Sequence, residues 1–264
     1  MFKFSENYNY LMPAHFGGYE GQPQATTYHD VTSIMVSYET DRKMLEAYIP
    51  EPFEITEPVV MISYAINRAV DWMAGGSYKL IGVTVPVAYN HAQVHLEGGY
   101  ALVVWESKTT PILPGREITG IPKIFADIED HHETGDRLFT HASYEGADFL
   151  RMQLQKPRQM SPEELTIVNQ MMGSYNWFGW RYIPNIGKPG AALSHATVFP
   201  QEFVIREAYR GVGKVKWNPL TFEQNPMQSH IIQALSGLPV KEYRECLMTR
   251  GENVLRSDIA RQLP

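Results

Sequence analysis

Cysteine is almost missing from this chain: Cys246 is the only one in 264 residues. That excludes an internal disulfide and any metal centre built from several cysteines. Positive charge is also short, with 23 Lys and Arg against 29 Asp and Glu, a formal net charge of −6. No block of basic residues offsets that balance, so no nucleic-acid partner and no anionic membrane surface is expected. No apolar run approaches the roughly 18 residues of a membrane span. The stretch Met1-Phe2-Lys3-Phe4-Ser5-Glu6-Asn7 lacks the apolar segment of a signal peptide, so a cytoplasmic location is expected. No Gly-x-Ser-x-Gly elbow occurs, which leaves serine hydrolase chemistry unsupported.

What is present is a core and a strand rhythm. Hydrophobic residues make up 44% and aromatics 12% of the chain, enough for a packed interior and against disorder. From Asp30 to Tyr38, Val31, Ser33, Met35 and Ser37 alternate with Thr32, Ile34, Val36 and Tyr38, the period of a strand with two different faces. Further strands are read over 59–66, 80–89, 94–105, 121–128, 138–144, 149–154, 196–209 and 214–217. Gly75-Gly76, Gly98-Gly99, Pro111 to Gly115 and Gly211 are read as turns between them. The expectation is a mainly β, α+β domain over residues 1–264, with a closed or nearly closed antiparallel sheet rather than βαβ units. Few helices are expected. Ser161-Pro162-Glu163-Glu164 opens one with a serine cap, a proline in the first turn and a glutamate three residues on, and Leu165, Val168, Met171 and Met172 form its buried stripe. Asp41–Tyr48 and Ser229–Leu235 are the other two.

Most of the candidate clusters have plain structural explanations. His131 and His132 are adjacent, so on extended chain they point to opposite sides, and a solvated turn explains them better than a metal site. His91 and His95 lie in strand-like sequence, where four-residue spacing does not bring two side chains together as it does on a helix. Cys246 reads as a buried, inert thiol despite Lys241, Arg244 and Arg250 nearby. No residues call for a cofactor or a metal.

One residue stands apart. In Gly120-Ile121-Pro122-Lys123-Ile124-Phe125-Ala126, Lys123 is alone in an apolar run with no counter-charge in its flanks. A lysine drawn into apolar surroundings tends to lose its proton, and the neutral amine forms imines with ketones. The plain alternative is a strand whose Lys123 faces solvent, since lysine is rarely buried. Upstream, Arg116 offers a bidentate partner for a substrate carboxylate, and Glu117 a proton-transfer group; equally, the two form an ion pair bracing a loop. Ser63 and Tyr78 are further candidates for substrate contact through their hydroxyls.

The Gly115-Arg116-Glu117 stretch followed by Pro122-Lys123 resembles the signature of the acetoacetate decarboxylase family. Ile49-Pro50-Glu51-Pro52-Phe53, Pro184-Asn185, Glu207-Ala208-Tyr209-Arg210-Gly211 and Leu238-Pro239-Val240-Lys241-Glu242 resemble family segments in the same order. The resemblance implies a cone-shaped antiparallel β-barrel with peripheral helices, a homo-oligomer, and a Schiff-base role for Lys123 on a small oxo acid or ketone. It also exposes departures. Ile124 stands where the best-known members carry a second lysine, so desolvation by Ile121, Ile124 and Phe125 must replace a neighbouring cation. The family's active-site arginine falls on Val31 and its two glutamates on Ser63 and Leu80. Three outcomes stay open: a true decarboxylase, an imine-based aldolase or dehydratase, which the departures favour, and a non-catalytic ligand-binding barrel.

Overall fold

The computed structural model describes residues 1–20 and 24–264. β1 (Tyr8–Asn9) and β2 (Tyr19–Glu20) form a separate ribbon. In the first half of the chain follow β3 (Thr26–Glu39), α1 (Arg42–Glu46), β4 (Phe53–Ile55), β5 (Val59–Val70), β6 (Gly76–His91), β7 (Val94–Glu106), α2 (Thr109–Glu117), β8 (Lys123–Phe125) and β9 (Asp127–Ile128). The second half contains β10 (His132–Thr134), β11 (Arg137–Tyr144), β12 (Ala147–Gln159), α3 (Pro162–Met172), β13 (Ser174–Pro184), β14 (Ala191–Trp217), α4 (Ser229–Ser236), β15 (Glu242–Leu255) and β16 (Arg261–Gln262).

The path β14-β13-β7-β6-β5-β3-β15 returns to β14, so these strands pair in a closed ring. β14 makes the closure possible by its length of 27 residues. Its first part pairs with β13, its middle with β15 and its last part with β12. The sequence reading divided this strand at Gly211-Val212-Gly213, but these glycines lie inside it. A Cβ at Gly211 would meet the Gln155 carbonyl at 2.5 Å, and one at Gly213 would meet the Cys246 side chain at 2.8 Å. Close packing, not a turn, requires glycine there. Gly98 and Gly99 are likewise inside β7, where added Cβ atoms would strike Asn176 and Tyr175 of β13.

Two pairings depart from the expected all-antiparallel sheet: β7 runs parallel to β13 and to β8. Parallel neighbours need a crossover connection, and α2 supplies the one between β7 and β8. A βαβ unit is therefore present where none was expected, and the segment read as a Pro111–Gly115 turn is its helix. Pro111 sits in the first turn, and Pro114 removes only one helical donor. β13 and β15 were not among the strands read from the sequence. The helix expected over Asp41–Tyr48 is shorter, Arg42–Glu46, with Asp41 capping the Lys43 and Met44 amides.

The period-2 alternation sorts residues onto two faces. Ile34, Val36, Tyr38, Ile62, Tyr64 and Ile81 are buried in the main apolar core. Their neighbours Val31, Ser33, Met35, Ser63, Ala65 and Leu80 line a cavity instead. α3 has the expected capping box between Ser161 and Glu164 and ends at Gly173, yet of its four-residue stripe only Val168 is buried. Met171 is 76% exposed, because α3 lies over the cavity rim rather than on the core. Cys246 is buried, and burial pushes its thiol up to about 12.

Ring closure is tight at Gly251, where a Cβ would lie 2.0 Å from the Val204 carbonyl across the β14–β15 seam. Gly251→Ala is expected to lower stability by about 1–3 kcal/mol, read as a lower urea midpoint at unchanged slope.

Candidate active site

Lys123 opens β8, and its side chain is turned inward: the residue is only 8% exposed. Three backbone contacts fix the approach. The Ile121 amide donates to the Gly115 carbonyl at 2.9 Å, the Val104 amide to the Pro122 carbonyl at 3.0 Å, and the Lys123 amide to the Ile121 carbonyl at 2.7 Å. Gly120, at φ +71°, lets the loop pass against Arg181 of β13, where a Cβ would clash at 2.6 Å. The lysine stem then crosses α2 at Gly115. A Cβ there would lie 2.3 Å from Lys123 Cδ and 2.6 Å from Cε, so the glycine of the Gly-Arg-Glu stretch is the slot through which the lysine reaches the cavity.

The counter-charge absent from the lysine's own flanks comes from the next strand. Glu106, the last residue of β7, is fully buried, and its Oε1 lies 2.8 Å from Lys123 Nζ. The approach is off-axis for a hydrogen bond, and neither carboxylate oxygen has a well-aligned donor among the described residues. Nζ also donates to the Pro111 carbonyl at 3.3 Å. Burial raises the Glu106 pKa, while the Lys123 charge and contact pull it down, the net direction being upward. The expected desolvation by Ile121, Ile124 and Phe125 is only partly realised. Ile121 is buried, but Ile124 is half-buried and Phe125 exposed, because β8 is short and only alternate residues turn inward. α2 and the strands across the cavity cover the lysine instead.

Two tyrosines stand at the same end. Tyr28 Oη accepts from Trp72 Nε1 at 2.9 Å and from Tyr78 Oη at 3.4 Å, which leaves its own proton free. Burial raises both phenol pKa values; for Tyr28 the Lys123 charge acts against this. Both therefore stay protonated at neutral pH. Asn67 is 3% exposed, lines the cavity and has no hydrogen-bond partner for Nδ2 among the described residues. Asn253 donates to Gln201 at 3.1 Å, and both also line it.

Of the residues singled out from the sequence, Lys123, Ser63 and Tyr78 all border this cavity of about 390 Å³. So do Val31 and Leu80, the positions aligned with the family's charged groups. Arg116 and Glu117 do not. They occupy the last turn of α2, and Arg116 Nη1 donates to the Lys123 carbonyl at 2.9 Å, on the backbone side of the lysine. No carboxylate-binding geometry toward the cavity results. Glu106, Tyr28 and Asn67 were missed, and Gly115 was noted only within a turn and as part of the Gly-Arg-Glu stretch. Glu106 could have been noticed as the carboxylate ending the apolar run Leu102-Val103-Val104-Trp105; Tyr28 and Asn67 had no local signal.

A closed strand ring around a cavity, with Lys123 in its wall, is the architecture the resemblance implied, an acetoacetate decarboxylase-like fold. Solved structures bear this out. The chain is similar to acetoacetate decarboxylase from Legionella pneumophila (TM-score 0.75, 21% identity, 94% of this chain and 91% of that one). It is also similar to an acetoacetate decarboxylase-like enzyme from Sphingomonas wittichii RW1 (TM-score 0.73, 13% identity, 97% and 98%). A third likeness is to the enduracididine biosynthesis enzyme MppR, complexed with the condensation product of pyruvate and imidazole 4-carboxaldehyde (TM-score 0.71, 12% identity, 98% and 97%). In sequence, the acetoacetate decarboxylase of Burkholderia multivorans is 28% identical over 215 residues, 80% of this chain and 78% of the relative. The family model described as acetoacetate decarboxylase (ADC) matches residues 11–256, and the chain belongs to that family. No helix among the described residues is long and apolar enough to cross a membrane.

Two outcomes test this geometry. Gly115→Ala is expected to keep or slightly raise helix stability, since alanine exceeds glycine by up to about 1 kcal/mol in a helix, while displacing the lysine stem; reactivity of Lys123 toward an amine-directed reagent should change without loss of the circular-dichroism spectrum. Because the Glu106 pKa is raised, the native state binds a proton the unfolded chain releases above its value of 4.5. Stability should therefore fall as pH rises from there through the folded pKa, and Glu106→Gln should remove that part of the slope in denaturation measured against pH.

Proposed function

We propose that the protein is a Schiff-base-forming lyase and that Lys123 is its nucleophile. The observation that carries this reading is the buried amine 2.8 Å from Glu106 at the wall of a cavity. Glu106 takes the proton that Nζ must lose before attacking a carbonyl carbon. Tyr28, with a proton to spare, hydrogen-bonds the carbonyl oxygen, and the proton taken by Glu106 and a second from Nζ pass to that oxygen, which leaves as water. The iminium then draws electrons from a bond at the α carbon. Arg116 acts indirectly in this scheme, holding the Lys123 carbonyl so that the side chain enters through the Gly115 slot.

Between the possible outcomes, the cavity wall favours aldol condensation or dehydration over decarboxylation. Val31, Ser63 and Leu80 border it in place of an arginine and two glutamates, so the wall offers little to orient a departing carboxylate. MppR, of like fold, holds a pyruvate–aldehyde condensation product, the chemistry proposed here. Homo-oligomerisation, from the family resemblance, and a cytoplasmic location, from the sequence, remain part of the reading.

Borohydride reduction with saturating carbonyl compound should add the reduced adduct at Lys123, located by peptide mass spectrometry, and Lys123→Ala should abolish it. Glu106→Gln should slow adduct formation by on the order of 10²-fold while leaving Lys123 its site. Enone formed from pyruvate and an aldehyde should exceed carbon dioxide released from acetoacetate. Carbon dioxide as the main product would reverse the choice between the two reactions.

A further inference from the structure

The cavity is larger than a small oxo acid needs, and its two ends differ. At about 390 Å³ it has room for on the order of a dozen waters at ~30 Å³ each. Along β5 and β6 its wall runs from the paired residues Asn67 and Tyr78 to the pair Met61 and Thr84, six residues of strand or about 20 Å. The register also locates the amine. Glu106, which Nζ touches, is paired with Leu80, one step from Tyr78 on the same face of β6. The polar groups gather there. Asn253 is paired with Tyr28 and bonded to Gln201, and Asn67 presents its unpartnered Nδ2.

Beyond that level the wall turns apolar. Met35, Leu247, Val168 and Met172 pack as one cluster under α3, with Met61 a step further along β5. The small residues Gly82 and Ser63 sit between the two ends, with the Trp177 ring packed over Gly82. Met171, at the rim, is largely exposed. Unbranched thioether side chains adapt their shape to flexible apolar ligands. Lys123 is the only cation among the described residues lining the cavity, and its two lining carboxylates, Glu245 and Glu252, are held in ion pairs with Arg210 and Arg206, so recognition away from the amine rests mainly on neutral donors and apolar contact.

We propose that the substrate is a carbonyl compound with an extended apolar tail, its carbonyl held at the Lys123, Tyr28 and Asn67 end and its tail laid along Met35, Met61 and Leu247 toward α3. This rests on the imine reading above and adds the substrate class.

The probes are butan-2-one, hexan-2-one and octan-2-one, each titrated in borohydride reduction of the intact protein with the Lys123 adduct as readout. Half-saturation should fall by roughly fourfold for each methylene buried. Equal half-saturation for all three would overturn the tail proposal and leave the imine reading standing. No adduct with any probe would overturn the imine reading, and the tail proposal with it. Met61→Trp, which fills the apolar end, should reduce the ratio of octan-2-one to butan-2-one efficiency at least severalfold. Because the readout is a ratio within one variant, a general loss of folded protein does not imitate it, and an unchanged ratio would count against the placement of the tail.

Discussion

The pairing of Lys123 with Glu106 is the constraint around which the rest of the molecule is arranged. A buried ammonium or a buried carboxylate alone costs several kcal/mol, and each is tolerable only with the other in reach. Bringing them to 2.8 Å requires β8 to lie parallel to β7, with Lys123 paired to Val104, two residues before Glu106. A parallel neighbour requires a crossover, and the crossover is α2. The helix in turn must carry glycine where the lysine stem passes over it, and Arg116 on its last turn fastens the lysine's backbone. A single electrostatic pair thus accounts for a local topology that an antiparallel barrel does not otherwise need.

The pair is also unfinished. Among the described residues, Glu106 has no well-aligned donor, Asn67 has an unused amide and Tyr28 an unused proton. Buried polar groups left in this state weaken a fold, so their retention in one cavity fits a site that a ligand completes. The apolar remainder of the cavity wall contributes shape rather than charge. The functional reading therefore rests on two unlike regions meeting at the Leu80 level: a reactive, hydrogen-bonding end and a methionine-lined one.

The sequence was legible where chemistry and conformation are written in one short segment. The serine cap and Glu164 foretell α3, the alternation from Asp30 to Tyr38 foretells both faces of β3, and Lys123 stands out because its neighbours are apolar. Reading failed where a residue's role is set by a strand remote in sequence. Gly98, Gly99, Gly211 and Gly213 look like turns until the neighbouring strand is placed against them. Pro111 and Pro114 look like helix breakers, although one lies in a first turn and the other removes a single donor. Arg116 and Glu117 look like site residues because they are charged and near the lysine in sequence; neither lines the cavity, and Arg116 bonds to the Lys123 backbone instead.

By itself the sequence determined the mainly β character and the family and singled out Lys123, since each follows from local pattern or from motifs kept in order. Only the tertiary structure decided what surrounds that lysine. Glu106, Tyr28, Asn67 and the methionines come from different strands, and the register of each strand selects which face, and so which alternate residues, meet Lys123. Side-chain direction reverses with every residue along a strand, so partnership in this cavity is fixed by hydrogen-bond register between strands, a quantity that no single segment of the chain contains.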